Sequence, residues 1–183
     1  MSKLEQRIID ISKKLGLAHI GSNLSCLPVL TEIYEKKKPG DLVILDNAHA
    51  HLAHLMFTTS EDMQEDILKM YGIHCDKKAY CDASGGSLAH ALGIGIGRAI
   101  SSPQRSVYVI VSDGSMMEGS NWEALRIRQQ LKLTNLKIYT VFNGHSAVAA
   151  INGDDLMYKM ENFSFGTGDI VYYFPDDERC KLI

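Results

Sequence analysis

"SVYVIVSDGSMMEGSNWEALRIRQQLKLTNLKIYTVFN", residues 106 to 143, holds the pattern that decides the fold. "SVYVIVS" (106–112) is rich in β-branched and aromatic residues and stops at Asp113-Gly114, which reads as a buried strand ending in a turn. "NWEALRIRQQLK" (121–132) has helical character, and "NLKIYTVF" (135–142) is a second apolar run of strand length. Strand, helix and strand at this spacing form a βαβ unit, so the two strands are expected to be parallel and joined by a right-handed crossover.

The same reading extends outward. Leu4, Ile8, Ile11 and Leu15 recur at helical spacing, giving a helix over 3–15. "GLAHIGSNLS" (16–25) reads as a loop, after which Ser25 is expected to cap a second helix with Pro28 in its first turn. "DLVILD" (41–46) is a short buried strand. "HAHLAHLMF" (49–57) and "SEDMQEDILKMYG" (60–72) read as helices, the second with Ser60 as N-cap and Gly72 as stop. A loop over 73–86 precedes a helix over 87–101. Gly93, Gly95 and Gly97 come late in that helix rather than in a strand-to-helix turn, so they predict close helix packing and not a dinucleotide fingerprint. A last helix near 154–162 and the strand "DIVYYF" (169–174) continue the alternation. The expectation is one α/β domain over residues 1–183, with a mostly parallel sheet and helices on both faces.

Of the 183 residues, 45% are apolar and 22% charged, an ordinary globular profile for a chain long enough to bury a sizeable core. A net charge of −3 gives no electrostatic reason to expect nucleic acid or an anionic membrane as partner. Lys36, Lys37 and Lys38 read as a helix end. The N-terminal residues lack the apolar core of a signal peptide, and no apolar run reaches the roughly 18 to 20 residues of a membrane span, so a cytoplasmic protein is expected. Cys26, Cys75, Cys81 and Cys180 form no CxxC and read as reduced thiols. His74-Cys75 with Cys81 raises zinc, but a second ligand pair at the usual spacing is missing, so zinc is not expected. His51 and His54 are assigned to packing or solvent.

Asp113 ends one strand of the βαβ unit and Asn143 the next. Both are therefore expected at the carboxyl edge of the sheet, where open α/β folds bind ligands. A carboxylate and an amide oxygen are hard donors that suit Mg²⁺ or Ca²⁺. Turn chemistry alone also accounts for Asp113-Gly114 and Asn143-Gly144, and spacing by itself leaves both readings open.

Asp113-Gly114 followed thirty residues later by Asn143 resembles the thiamine-diphosphate fingerprint that opens with Gly-Asp-Gly and closes with Asn. "AHIGSNLSCLPVLTEIY", "DNAHAHLAHL", "IHCDKKAYCDASGGSLAHALGIGIGRA" and "SDGSMMEGSNWEAL" resemble, in order, further blocks of the transketolase diphosphate-binding domain. The resemblance covers residues 18 to 144. It departs from the family at Ser112 and Ala89, where the family has Gly, and at Asp46-Asn47-Ala48, which lacks the usual Lys-Gly before His49.

The resemblance implies a thiamine-diphosphate-binding fold, here a C-terminally shortened diphosphate-binding module. By that resemblance Asp113, Asn143 and the backbone carbonyl of His145 would bind Mg²⁺ (or Ca²⁺). His49 would contact the diphosphate, and Gly114 would lie under it. Gly86 would offer its carbonyl to the cofactor's amino group, and Leu88 would line the pyrimidine side. His19 and His74 would face the sugar oxygens around the reacting carbon. Glu118 would lie at a subunit interface, hydrogen-bonded towards a catalytic glutamate of the partner, with Glu123 in the same acidic network. His90 would stand behind the site, and Trp122 and Met116-Met117 would serve the core or an interface.

No segment resembles the pyrimidine-binding domain, which is therefore expected on a second, C-terminal-type subunit, in a heterotetramer of two copies each. The implied activity moves a two-carbon ketol unit between sugars or sugar phosphates. Alternatives are deoxyxylulose-phosphate-synthase or 2-oxoacid decarboxylase chemistry, or a catalytically silent assembly subunit.

Overall fold

The computed structural model describes residues 1–144, 146, 149–166 and 168–175. Four strands, β1 (Leu42–Leu45), β2 (Val107–Ser112), β3 (Leu136–Val141) and β4 (Ile170–Tyr173), form one sheet in the order β1-β2-β3-β4. Every pairing is parallel, with Ile44 opposite Val109, Val109 opposite Ile138, and Ile138 opposite Ile170.

Successive side chains of a strand point to opposite faces, and both faces are covered. Tyr108 and Ile110 of β2, with Tyr139 and Val141 of β3, pack into one apolar cluster. That cluster also contains α1 (Lys3–Leu15), α2 (Ile20–Lys36), α3 (His51–Thr58) and α4 (Gln64–Tyr71). Val107, Val109 and Val111, with Leu136 and Ile138, face the second cluster with α5 (Ala91–Ser101), α6 (Gly119–Gln130) and α7 (Gly153–Glu161). Burial on both sides explains why these strands read as unbroken apolar runs. A buried ion pair between Arg128 of α6 and Asp169 just before β4 joins helix to sheet.

Several expected boundaries move for local reasons. α2 begins at Ile20, five residues before Ser25, because the backbone N–H of Asn23 already donates to the His19 carbonyl (3.2 Å). Ser25 is buried within the helix, and Pro28 lies in its interior. α3 starts at His51 after a short 3₁₀ turn over Ala48–Ala50. α4 starts at Gln64 rather than after Ser60, with Gly72 in a positive-φ conformation at its end as expected. Lys36 ends α2.

α5 begins at Ala91 and not at Ser87, since Ala89 adopts φ 65° and the N–H groups of Ala89 and Ala91 turn away to the Asp46 carboxylate (2.7 and 2.8 Å). Close packing holds for Gly95 alone: a Cβ there would lie 2.6 Å from Val109 Cγ2, whereas none would meet anything within 4 Å at Gly93 or Gly97.

Candidate functional site

The carboxyl ends of β1, β2 and β3, with the first turn of α2 and the loop before α5, enclose a cavity of about 430 Å³. His19, His49 and His74 line one side of it. Gly86, Leu88, Gly114 and Asn143 line the rest, together with Ser25, Asn47 and Ser112. Residues spread over more than a hundred positions thus meet at the edge where parallel sheets present their ligand sites.

Asp113 lies between the lining residues Ser112 and Gly114 and is fully buried. One carboxylate oxygen accepts the Gly114 N–H (2.9 Å) and the other accepts the Gly144 N–H (2.7 Å). Burial raises the Asp113 pKa, and these backbone donors act against the rise. The backbone N–H groups of Asn143 and of Asp113 itself also act on this carboxylate. In the cavity lining, Ser25 Oγ and Asn47 Oδ1 are buried without a hydrogen-bond partner among the described residues. Orphaned buried oxygens in a cavity wall are costly unless a polar ligand meets them. The hard-oxygen donor set of Asp113 and Asn143, under a cavity walled by polar groups, fits a hydrated divalent cation and its diphosphate.

The histidines are held by the backbone rather than by one another. His19 adopts the left-handed conformation (φ 62°, ψ 34°) at the N-cap of α2. This region disfavours residues with a Cβ, and such strain persists only where surrounding bonds fix it. The fixing group is Asn23, whose side-chain amide donates to the carbonyls of His19 (2.9 Å) and His49 (3.2 Å) while its oxygen accepts the Ala53 N–H (2.9 Å). The two imidazoles lie 4.4 Å apart between centroids. Burial first, then the proximity of His19 and His74, lowers the His49 pKa to about 4. His49 is therefore a neutral hydrogen-bonding group at neutral pH.

Three anchors escaped the sequence reading. Asn23 is one. Asp46 is another: it follows β1, is buried, and accepts bonds from Ala89, Ala91 and the Ser115 hydroxyl. Asn121 is the third, donating to the Ser115 carbonyl (2.9 Å) and hydroxyl (2.8 Å). An acidic residue closing an apolar strand was the available signal for Asp46.

Glu118 is exposed outside the cavity lining. Arg126 grips Glu123 in a two-pronged pair (2.8 and 2.6 Å) on the exposed face of α6. His90 is exposed. Met116 is core, and Trp122 donates to its carbonyl (2.9 Å), while Met117 is exposed. His145 lies outside the described residues. No helix among the described residues is long and apolar enough to cross a membrane.

A family model described as 1-deoxy-D-xylulose-5-phosphate synthase matches residues 1–150. An apulose-4-phosphate transketolase subunit of Actinobacillus succinogenes is 32% identical over 145 residues, covering 66% of this chain and 52% of that protein. Its namesake from Phocaeicola vulgatus is 28% identical over 159 residues, covering 73% and 56%. The chain thus spans about half the length of these curated relatives. A transketolase mutant structure from Pichia stipitis superposes with a TM-score of 0.76 at 18% identity, covering 87% of this chain and 29% of that one, which supports the fold. By the match over residues 1–150, the chain belongs to the family of the N-terminal, transketolase-type thiamine-diphosphate-binding domain of 1-deoxy-D-xylulose-5-phosphate synthase.

Proposed function

We propose that this chain is the diphosphate-binding half of a transketolase-like enzyme that moves a two-carbon ketol unit from a ketose or its phosphate to an aldose or its phosphate. The pyrimidine-binding half would come from a second chain, in keeping with the relatives' names, which call them transketolase subunits. The observation that carries the reading is the convergence of three histidines, Gly86, Leu88, Gly114 and Asn143 over the buried Asp113.

Thiamine diphosphate, when bound, supplies the nucleophilic carbon and electron sink for breaking and making a C–C bond. The chain's residues do the rest. Asp113 and Asn143 would hold Mg²⁺ (or Ca²⁺), the His145 carbonyl completing the set, and Gly114 would leave room for the diphosphate. Neutral His49 would donate a hydrogen bond to it without adding charge. Gly86 and Leu88 would seat the aminopyrimidine. His19 and His74 would exchange protons with sugar hydroxyls, a task imidazole suits near neutral pH. Glu118 would face the partner. The domain would be a single unit over residues 1–183 acting in the cytoplasm.

A second reading, deoxyxylulose-phosphate-synthase chemistry, is favoured by the description of the matching family model. The two readings separate by donor. The chain, co-purified with a candidate partner encoded beside it, should transfer a ketol unit from a ketose phosphate in the presence of thiamine diphosphate and Mg²⁺. Carbon dioxide release from a 2-oxoacid donor, with no ketol transfer, would replace the first reading by the second. Cofactor binding by the assembled complex without turnover of either donor class would instead assign it an assembly role.

A further inference from the structure

Behind the cavity wall, α3 faces the loop before α5. His51 and His54 stand three residues apart on α3, so they share one helix face. Cys75 and Cys81 flank the 3₁₀ turn Lys77–Ala79 on that loop. One ligand atom each from His54, Cys75 and Cys81 lies within 4.8 Å of the others, and Cys81 Sγ is 3.6 Å from His54 Nδ1. We propose that His51, His54, Cys75 and Cys81 bind one zinc ion, a site separate from the proposed Mg²⁺ site and independent of the proposed activity.

The ring orientations favour this use. His54 directs Nδ1 at the thiol while Nε2 meets the Tyr34 hydroxyl at 2.9 Å. A metal-bound imidazole commonly carries such an outer partner on its other nitrogen. His51 places Nε2 against the Ala79 carbonyl at 3.0 Å, so Nε2 carries the proton and Nδ1 keeps its lone pair. That Nδ1 is buried without a partner in hydrogen-bonding geometry among the described residues, and the ring's other neighbours are the Cys81 thiol and the Gly72 backbone. A turn of the His51 ring towards the other three would make it the fourth ligand.

The donor set is also right for the metal. Two thiolates and two imidazoles around a divalent ion make a tetrahedral zinc centre with no net charge. Neutrality matters, because His51, His54, Cys75 and Cys81 are only 0%, 1%, 3% and 7% exposed. Zinc–ligand bonds of about 2.0 to 2.3 Å require ligand atoms about 3.3 to 3.8 Å apart, so His54, Cys75 and Cys81, already within 4.8 Å of one another, need only a small inward movement, and the His51 ring would turn in to join them. The ion would tie α3 to the loop at the residue next to His74. The Cys75 N–H already reaches the Ala48 carbonyl (3.0 Å) and its carbonyl takes the Gly85 N–H (2.9 Å), so the clip would steady the cavity wall from behind.

Metal analysis tests this directly. The full chain, expressed without a histidine tag and purified reduced without chelator, should contain one zinc per chain by plasma mass spectrometry. After stripping, Co²⁺ should give a thiolate-to-metal charge-transfer band that Zn²⁺ abolishes and Mg²⁺ does not. Cys75→Ser and Cys81→Ser should lose both the zinc and the band. Reduced wild-type protein without zinc and without a cobalt–thiolate band would overturn the proposal, and this measurement does not depend on whether the variants fold. A Cys75–Cys81 disulfide in freshly prepared protein would overturn it as well.

Discussion

His49 shows how much of the site depends on surroundings that no single residue announces. Its depressed pKa, about 4, follows from burial and from two neighbouring imidazoles contributed by distant parts of the chain. In the unfolded chain the same ring takes a proton near 6.5. Between those values the unfolded state binds a proton that the native state refuses, so stability rises with pH across this window and is lost as pH falls through it. Urea unfolding at about pH 7 and about pH 5 should therefore show a loss on acidification. In His49→Gln that loss should be smaller by about 2 kcal/mol, since each pKa unit is worth about 1.4 kcal/mol. An identical loss in the variant would refute the assignment.

Asp46 makes a second case at this scale. Removing its carboxylate in Asp46→Ala leaves two backbone N–H groups unpaired inside the protein and takes the acceptor from the Ser115 hydroxyl, which keeps only the bond from Asn121. Bonds to a charged group are worth roughly 1.5 to 3 kcal/mol each, so loss of the two backbone bonds alone should register in chemical denaturation as a loss on the order of 3 to 6 kcal/mol. The sequence presented Asp46 as a departure from the family's Lys-Gly; its role emerges only when the chain brings Ala89, Ala91 and Ser115 to it. Asp113 and Asn143 were legible because strand ends in a parallel sheet fall on one edge, a rule that needs no tertiary detail. Asn23, inside a polar stretch that read as loop, offered no comparable cue.

At the scale of elements, the strands were the clearest features, since burial on two faces forces continuous apolar runs. Helix starts were less legible. Hydrogen bonds from Asn23 extend α2 backward, and the Asp46 carboxylate delays α5. The glycines of α5 give opposite predictions within one helix. Gly95→Ala drives a methyl into Val109 and Leu136 and should destabilise by roughly 1 to 3 kcal/mol. Gly97→Ala meets open space at an exposed helical position and should stabilise by roughly 0.5 to 1 kcal/mol. Thermal unfolding of the two variants checks both signs; a shift in the same direction would contradict the packing account. The sequence offered Cys75 and Cys81 but not the histidine that the fold sets beside them. Spacing tests look for ligand pairs along the chain, and here one pair comes from a helix and the other from a loop more than twenty residues on.

At the scale of the whole molecule, the sheet edge gathers one wall of a site. His19 and His74 are exposed at its mouth, and Glu118 is exposed beyond it. Relatives about twice as long as the matched region carry the name of a transketolase subunit, and the proposed function takes the opposite wall from a second chain. The order of family blocks made the family readable in the sequence, whereas nothing in this chain's sequence names a donor sugar.

Calorimetric titration of thiamine diphosphate into the chain assembled with its partner, with Mg²⁺ and with chelator, tests the central claim most directly. Binding should require the metal, and Asp113→Asn, which keeps the shape of the buried side chain, should weaken it at least about 100-fold, equal to about 2.7 kcal/mol. Unchanged affinity in that variant, or no binding by the assembled wild-type protein, would contradict the account.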